Sequence, residues 1–214
     1  MARPGTRAVR PRSRRKPGDE RRAELYEAAA KTFHEKGYNA ASLQDIAEQL
    51  GILKGSLYYY IQSKEDLLYD LITAIQAEGL EVVTAAAKID GDPLDRLHNV
   101  IVAHVTHTCR TLSKTSVYLH ERDALPPKRR KDIRGSEHAH EAVFSGLIAE
   151  GQQAGLVRAD VDPKIAMRSI LGSINWTYRW FTPKGALRAA KLAEQLADLN
   201  VRSIAVPEAL SHRG

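Results

Sequence analysis

The spacing of apolar residues restricts the fold of this chain more than any other feature of its sequence. Between Leu25 and Phe33 the apolar positions recur at intervals of three and four residues, and Gly37 follows where that pattern stops. This spacing is typical of one face of an α-helix, and glycine is a common helix terminator. Similar patterns fill most of the remaining chain, whereas alternating β-branched runs and repeats of fixed period are absent from the sequence. The sequence therefore predicts an all-α fold.

Two short helical patterns separated by a glycine follow the first helix. In the first of the two, Ser42 is placed as an N-cap with Asp45 three residues later, and Gly51 is placed to end the helix. The next helix is predicted over residues 54–60. Three short helices with a glycine turn between the second and the third are typical of a helix-turn-helix unit. The third helix of such a unit enters the major groove of DNA.

Longer helical patterns occupy the rest of the chain. One begins after Ser63, with Asp66 three residues further on, and runs to about residue 88, before a break at residues 90–93. Further helices are predicted over residues 94–112, 117–123, 128–154, 163–180 and 186–205. We therefore expect a three-helix unit over residues 19–66 and a larger helical domain over residues 67–214.

Positive charge is concentrated at the N-terminus. The net charge is +6, and residues 1–22 contain nine basic and two acidic residues, a net +7, so the other 192 residues sum to −1. Prolines and glycines within residues 1–18 oppose helix formation. We expect residues 1–18 to form a disordered basic arm that contacts a polyanion. A solvated tail that only aids solubility is the alternative.

The composition excludes several classes of protein. Cys109 is the single cysteine, so no disulfide can form within the chain, and a reducing compartment is favoured. No apolar run approaches the ~20 residues that span a bilayer, and no apolar signal segment follows the N-terminus. These observations predict a cytoplasmic protein with no membrane partner.

Motifs of catalysis and of metal binding are also missing from the sequence. There is no G-x-S-x-G, no glycine-rich phosphate loop, no H-E-x-x-H and no dinucleotide fingerprint, so we predict that the chain is not an enzyme and takes no cofactor. His104 and His107 have helical i, i+3 spacing, but without a cysteine partner or a tighter signature we predict no metal site. His107 and Cys109 are instead candidates to line a ligand cavity.

The segment SLQDIAEQLGILKGSLYYYIQSKEDLL, residues 42–68, resembles the TetR family of transcriptional regulators. The matches are Ile46-Ala47, Gly51-Ile52, Lys54-Gly55-Ser56, Leu57-Tyr58 and Ser63-Lys64-Glu65. The resemblance is specific over residues 24–74. Two positions depart from the family pattern: Leu53 stands where a Ser or Thr usually caps the third helix, and Ile61 stands where Phe is usual.

The resemblance implies roles for individual residues of the helix-turn-helix unit. Ser42 and Gln44 are expected to contact phosphates, and Lys64 is expected to do the same at the next helix start. Base contacts are expected from Lys54, Ser56 and Tyr59, with Gly55 allowing close approach of the backbone. Tyr58 and Tyr60 are expected either to bond phosphates or to pack in the core. The arm residues Arg12, Arg14 and Arg15 are expected in the adjacent minor groove.

The resemblance further implies that residues 67–214 form a ligand-binding and dimerisation domain. Family members pair through their last two long helices, which here are residues 163–180 and 186–205. The interface candidates are Ile170, Ile174, Leu192 and Leu196, with core packing inside one chain as the equal alternative for each. A small-molecule effector is expected among the central helices.

The aromatic segment NWTYRWFTPKG, residues 175–185, is similar to a segment of family members that respond to acyl-CoA thioesters. Trp176, Arg179 and Trp180 are therefore candidate ligand-binding residues together with His107. An aromatic lid on the end of a helix is the alternative.

The predicted function is a ligand-responsive transcriptional repressor. A homodimer would bind double-stranded operator DNA of palindromic sequence and be released by a small-molecule effector, with an acyl-CoA thioester as the candidate. Two alternatives are a repressor of an efflux or stress gene that responds to a hydrophobic drug-like ligand, and a nonspecific nucleic-acid-binding protein.

Overall fold

The computed structural model of the chain describes residues 18–210. The expectation for Arg12, Arg14 and Arg15, and that for the basic arm apart from Gly18, fall outside this range. The helices are α1 (Gly18–Lys36), α2 (Leu43–Leu50), α3 (Lys54–Leu57), α4 (Lys64–Ala86), α5 (Pro93–Arg110), α6 (Leu112–Glu121), α7 (Pro127–Gln153), α8 (Pro163–Asn175), α9 (Thr177–Trp180), α10 (Ala189–Ile204) and α11 (Pro207–Leu210), with a 3-10 turn at Arg122–Ala124.

This helix order confirms the predicted all-α class. Within residues 18–210 the one β-type pairing is an isolated bridge between Val157 and Ala205. Several boundaries differ from the prediction: α6 begins at Leu112 instead of residue 117 and α10 begins at Ala189 instead of residue 186, and two other differences bear on the functional surfaces. The α-helical part of the third helix ends at Leu57, and the chain continues through Tyr60 as a turn. The long helix predicted over residues 163–180 is divided at Trp176 into α8 and α9.

Side-chain caps that are local in sequence fix the starts of α2, α4, α5 and α8. Asp92 accepts from the backbone N–H groups of Leu94 and Asp95, and Pro93 follows at the first helical position, where its missing N–H costs nothing. Asp162 and Pro163 start α8 in the same way. The starts of α5 and α8 therefore follow from the sequence alone.

Residues 18–75 form the head of the molecule around one hydrophobic cluster. Leu25 and Phe33 of α1, Ile46 of α2 and Leu57 of α3 are each at most 2% exposed within it. Three residues from the middle of the chain complete this cluster: Val117, Leu125 and Ile133. The head core is therefore shared with α6, the segment after the 3-10 turn, and α7.

The remaining helices form the body around a second cluster. Its centre is α5, which packs against α4, α7 and α10, and its fully buried side chains include Leu97, Ile101 and Phe144. The 23-residue α4 passes from the head cluster to the body cluster over about 34 Å at 1.5 Å per residue. No helix between residues 18 and 210 is long and apolar enough to cross a bilayer.

Candidate nucleic-acid interface and ligand cavity

A reciprocal cap fixes the start of α2. The Ser42 hydroxyl accepts from the backbone N–H of Asp45 at 3.2 Å, and the Asp45 carboxylate accepts from the backbone N–H of Ser42 at 2.8 Å. The Lys36 ammonium donates to the same carboxylate at 2.8 Å. This ammonium, followed by the Ser42 N–H, lowers the pKa of Asp45 to about 2. Ser42 and Gln44 are both exposed at this helix start, where the expected phosphate contacts would be made.

Gly51 makes the turn between α2 and α3. Its φ of +64° lies in the left-handed region, and its N–H bonds the carbonyl of Glu48 at 3.0 Å. A residue with a Cβ is strained in this conformation. The glycine therefore sets the angle at which α3 leaves α2.

The segment after this turn, residues 53–60, presents most of its side chains to solvent; we call it the reading segment. Leu57 is fully buried and, together with Ile61 at 5% exposure, anchors the segment on the head core. Tyr59 is 88% exposed, Tyr58 53% and Tyr60 37%. Tyr58 is therefore not packed in the core, whereas Tyr60 lies beside Leu25, Leu50 and Leu57 at the rim of the head core.

Leu53 occupies the N-cap position of α3. Its backbone is extended, with φ −74° and ψ 142°, and no side chain caps the helix start. The Leu53 side chain is 81% exposed, between the turn and Lys54, which is also exposed. An apolar side chain therefore stands at the front of the reading segment, where a hydroxyl would otherwise satisfy a backbone N–H.

The Lys64 ammonium is bound by groups of the protein itself. Its Nζ atom donates to the backbone oxygens of Tyr38 and Ala41, each at 2.8 Å, and lies 4.4 Å from the centre of the Tyr38 ring. A third carbonyl, that of Asn39, lies at 3.4 Å. An ammonium has three donors, so these contacts use all of them to hold the loop between α1 and α2. Without DNA the Lys64 ammonium therefore braces this loop, and its expected phosphate contact stays a prediction.

Five helices and the 3-10 turn enclose a cavity of about 370 Å³ in the body. Helices α4 to α8 supply its wall, and the volume is in the range of small-molecule sites. His107 lines it, as the sequence predicted. The other lining residues are Ile75, Gln76, Gly79, Val82, His104, Thr108, Thr115, Tyr118, Leu119, Arg122, Ser136, Glu137, His140, Glu141, Met167, Arg168, Leu171, Gly172 and Asn175.

Three imidazoles make one part of the cavity wall polar but uncharged. Burial, followed by the neighbouring His140, lowers the pKa of His104 to about 3, although Asn175 Oδ1 lies 2.9 Å from its Nε2 atom. Burial also lowers the pKa of His140 to about 4 and depresses that of His107. All three are therefore neutral near pH 7.

Charged residues stand on another part of the wall. Glu137 on α7 accepts from Arg122 at 3.0 Å and from the Tyr118 hydroxyl at 3.2 Å. Arg168 lines the cavity from α8 and is exposed, so it lies where the cavity meets solvent. The helical spacing of His104 and His107 was a sequence signal for this site, and Asn175 is the first residue of the aromatic segment. Arg122 and Glu137 carried no signal in the sequence analysis.

Apart from Asn175, the aromatic segment lies outside the cavity. Trp176 is 58% exposed and Trp180 48% exposed, Arg179 is exposed, and none of the three lines the cavity. Phe181, in contrast, is buried in the body cluster. Trp176, Arg179 and Trp180 therefore face away from the cavity, because the break after α8 turns them outward while Phe181 closes the helix end, and their expected ligand contacts stay a prediction.

Three of the four candidate interface residues are buried, and the fourth is partly buried. Ile170, Ile174 and Leu192 are at most 3% exposed inside the body cluster, and Leu196 is partly buried against it. The first three have no surface left for a partner, so the alternative of core packing within one chain holds for them. Nine large apolar side chains are exposed between residues 18 and 210, and four of them are on α8–α10: Ile165, Trp176, Trp180 and Leu199.

Cys109 is not a reactive thiol. It is 6% exposed in the body cluster, and burial raises the pKa of its thiol to about 11. The described part of the chain also contains no group of three metal-ligating side chains.

Two protein-family sequence models match the chain. The model described as "Tetracyclin repressor-like, C-terminal domain" matches residues 90–204, and the model described as "Bacterial regulatory proteins, tetR family" matches residues 25–71. The HTH-type transcriptional repressor KstR2 of Mycobacterium tuberculosis (strain ATCC 25618 / H37Rv) is 29% identical over 180 residues, which cover 82% of this chain and 88% of that repressor.

Solved structures of similar fold cover nearly the same range. The TetR family transcriptional regulator PfmR from Thermus thermophilus aligns with a TM-score of 0.75 and 34% identity, over 83% of this chain and 97% of PfmR. The structure of AibR in complex with isovaleryl coenzyme A and operator DNA aligns with a TM-score of 0.71 and 30% identity, over 86% of this chain and 97% of AibR.

Proposed function

Since the chain belongs to the TetR family of transcriptional regulators, we propose that it is a repressor that binds operator DNA as a homodimer and is released by an acyl-CoA thioester. The observation that supports this proposal is that one chain contains an exposed reading segment on its head and a cavity whose wall shares helices with the head core. The cavity is lined by α4 and α6, and both of these helices also contribute to the head core. A ligand that repositions them alters the head.

The reading segment supports the DNA-binding part of the proposal. Lys54, Gly55 and Tyr59 are exposed on it, while Leu57 and Ile61 hold it on the head. Base edges in the major groove are read by side chains at the start of such a helix, and phosphates by the flanking positions. We assign base contacts to the start of α3 and phosphate contacts to Ser42, Gln44 and the exposed tyrosines.

Dimer formation is proposed through the outer faces of α8, α9 and α10. The exposed side chains of Ile165, Trp176, Trp180 and Leu199 lie there, and exposed large apolar residues concentrated on one part of a molecule mark interaction sites. One reading segment contacts few base pairs, so two copies are needed to reach two half-sites ~34–36 Å apart. We therefore assign operator contact to residues 19–66, and ligand binding and dimerisation to residues 67–214.

The cavity wall supports a thioester of coenzyme A as the effector. Apolar side chains such as Val82, Leu119 and Leu171 suit an acyl chain, while Arg122 and the exposed Arg168 suit phosphate groups. AibR, whose fold is shared, was crystallised with isovaleryl coenzyme A and operator DNA. A second candidate is a cationic drug-like effector, which the carboxylates of Glu137 and Glu141 on the cavity wall would favour.

Binding of the purified full-length chain to labelled duplexes tests the proposal by fluorescence anisotropy. We expect a palindromic duplex from upstream of its own gene to bind more tightly than a shuffled duplex, with the preference retained after deletion of residues 1–17. Acyl-CoAs, but not coenzyme A alone or cationic drugs, should release it. Equal binding of both duplexes would favour a nonspecific nucleic-acid-binding protein, and release by cations alone would favour the drug-like effector.

A further inference from the structure

A glycine lies near the middle of the face that α4 turns towards the cavity. Four residues of this helix line the cavity, at positions 75, 76, 79 and 82. At about 100° per residue these positions share one face of the helix, and Gly79 lies between Ile75 and Gln76 on that face. The cavity therefore meets bare backbone at the middle of the α4 wall, whereas Ile75 and Val82 present side chains beside it.

The described part of the fold does not require a glycine at this position. Gly79 has the backbone of a regular helix, with a negative φ that any residue adopts, and glycine inside a helix is less favourable than alanine. Among residues 18–210, a Cβ atom at Gly79 would meet nothing within 4 Å beyond its chain neighbours and the backbone of its own helix. At Gly151 of α7, in contrast, a Cβ atom would lie 2.6 Å from Val157. Packing therefore accounts for Gly151 but not for Gly79.

The cavity is too small to enclose a whole CoA thioester. Its volume is about 370 Å³. A protein cavity of about 150 Å³ accommodates benzene, so the same ratio gives room for about 15 non-hydrogen atoms here. Coenzyme A, with its pantetheine arm and phosphorylated adenosine diphosphate, is several times larger than that. The acyl group is therefore the part of the effector that the cavity encloses.

We propose that the acyl group of the effector packs against the bare backbone of α4 at Gly79, and that this glycine sets the upper limit on acyl size. The inference rests on the proposed function and narrows it to thioesters whose acyl groups have up to about 15 non-hydrogen atoms. The space that a side chain would fill is left to the ligand, at a cost in helix stability. The same contact places the acyl group on the helix that passes from the head to the body.

Thermal unfolding of the ligand-free, full-length protein tests the first step. Gly79→Ala should raise the Tm by about 2–4 °C, because alanine favours the helix and its methyl group meets no neighbour. Gly135→Ala, at an exposed position of α7 that does not line the cavity, should raise the Tm by a similar amount. A lower Tm in Gly79→Ala would mean that the fold needs this glycine, which would overturn the inference.

Isothermal titration calorimetry with two ligand series measures the size limit. The first series contains saturated straight-chain CoA thioesters of increasing length, and the second contains N-methylamides of the same acyl groups, which lack coenzyme A. Each added methylene that still fits should strengthen binding about fourfold. For wild-type protein this gain should end at about 13 carbons. In Gly79→Leu the gain should end about four carbons earlier, because the leucine side chain occupies that part of the cavity.

Two further variants isolate the effect of the glycine. Gly135→Leu makes the same substitution outside the cavity and should keep the wild-type limit. If Gly79→Leu fails to fold by circular dichroism, Gly79→Ala takes its place. Its limit should shorten by about one carbon, and it should bind the longest chain that wild-type protein accommodates about fourfold more weakly.

The inference is overturned if the Gly79 variants and wild-type protein have the same limit, if affinity rises through the longest chains without a limit, or if neither series binds. Release of operator DNA by thioesters whose limit the Gly79 variants do not move would leave the proposed function intact. A limit that the Gly79 variants shorten in the amide series alone would support the inference and remove coenzyme A from the proposed function.

Discussion

The Lys114 ammonium on α6 lies 2.7 Å from the Glu27 carboxylate on α1, so a cavity helix is joined directly to a head helix. Lys114 also lies 3.3 Å from Glu78 on α4, and its side chain is 12% exposed. Thr115, the next residue, lines the cavity. The Lys114 ammonium therefore ties together the two helices that run between cavity and head and the first helix of the head.

The substitution Lys114→Met should uncouple the effector from the operator. The Met side chain keeps the apolar stem but loses both carboxylate contacts, so a shift of α6 is no longer passed to α1. We expect effector binding to persist while its weakening of operator affinity falls by about fivefold or more, within the usual range of coupling free energies. The measurement is operator affinity by anisotropy with and without saturating effector.

Lys191→Met, at an exposed position on α10, is the matched control and should leave the response unchanged. An unaltered response in Lys114→Met would show that the connection runs through packing alone.

The exposed Leu53 should read a thymine methyl group. Its side chain is 81% exposed at the front of the reading segment, and apolar side chains in the major groove contact the C5-methyl of thymine. Replacing the contacted dT by dU should weaken wild-type binding about fourfold, the value of one buried methyl group. Leu53→Ala should bind the dT and dU operators equally.

A scan that replaces each operator dT singly locates the position, and Ile89→Ala, another exposed apolar residue, serves as control. The same dU effect in wild type and Leu53→Ala at every position would exclude this contact.

Arg168 should contribute to affinity for coenzyme A and not to affinity for the acyl group. It lines the cavity at the solvent side, and a hydrogen bond to a charged group contributes about 1.5–3 kcal/mol. Arg168→Gln should weaken the binding of CoA thioesters about tenfold or more in calorimetry. The binding of N-methylamides of the same acyl groups, which lack coenzyme A, should be unchanged. Arg188→Gln, exposed before α10, should weaken neither. An equal loss of affinity for the thioesters and the N-methylamides would place Arg168 against the acyl group instead.

The neutral histidines of the cavity should make the protein less stable in acid. The pKa values of His104 and His140 are lowered to about 3 and about 4 in the fold, while an unfolded chain protonates histidine near pH 6.5. Between those limits the unfolded state binds more protons, so stability is present above pH 6.5 and falls as pH drops below it. Each imidazole contributes about 2 kcal/mol of this loss between pH 7 and pH 5.

His140→Phe should remove the share of His140, about 2 kcal/mol between pH 7 and pH 5, from that loss in urea unfolding, since a phenyl ring takes up no proton. His34→Gln, at an exposed position on α1, should preserve the slope. An identical slope in wild type and His140→Phe would mean that His140 titrates alike in both states.

Leu199 should be part of the dimer interface. It is 66% exposed on α10, and a carboxylate buried at an interface without a partner is strongly unfavourable. Leu199→Asp should sediment as a monomer in analytical ultracentrifugation and lose operator affinity on the order of a hundredfold, because two linked half-site contacts are replaced by one. Ile89→Asp is the control for a new charge at an exposed apolar site. A dimer of unchanged affinity in Leu199→Asp would move the interface elsewhere.

The sequence by itself determined the features that depend on neighbouring residues. The caps at Ser42, Asp92 and Asp162, the left-handed glycine at position 51 and the helical apolar spacing each act within one turn of chain. The all-α class and the helix-turn-helix unit follow from them. His107 was found because its spacing from His104 is also local.

Only the tertiary structure decided which side of each later helix faces a neighbour. Trp176 and Trp180 were predicted to bind ligand and are exposed, while Ile170 and Ile174 were predicted at an interface and are buried. Apolar periodicity identifies a face to be covered but not what covers it, because burial depends on packing between residues far apart in the chain. The meeting of Gln76 with Ile133, and of Lys114 with Glu27, has the same origin.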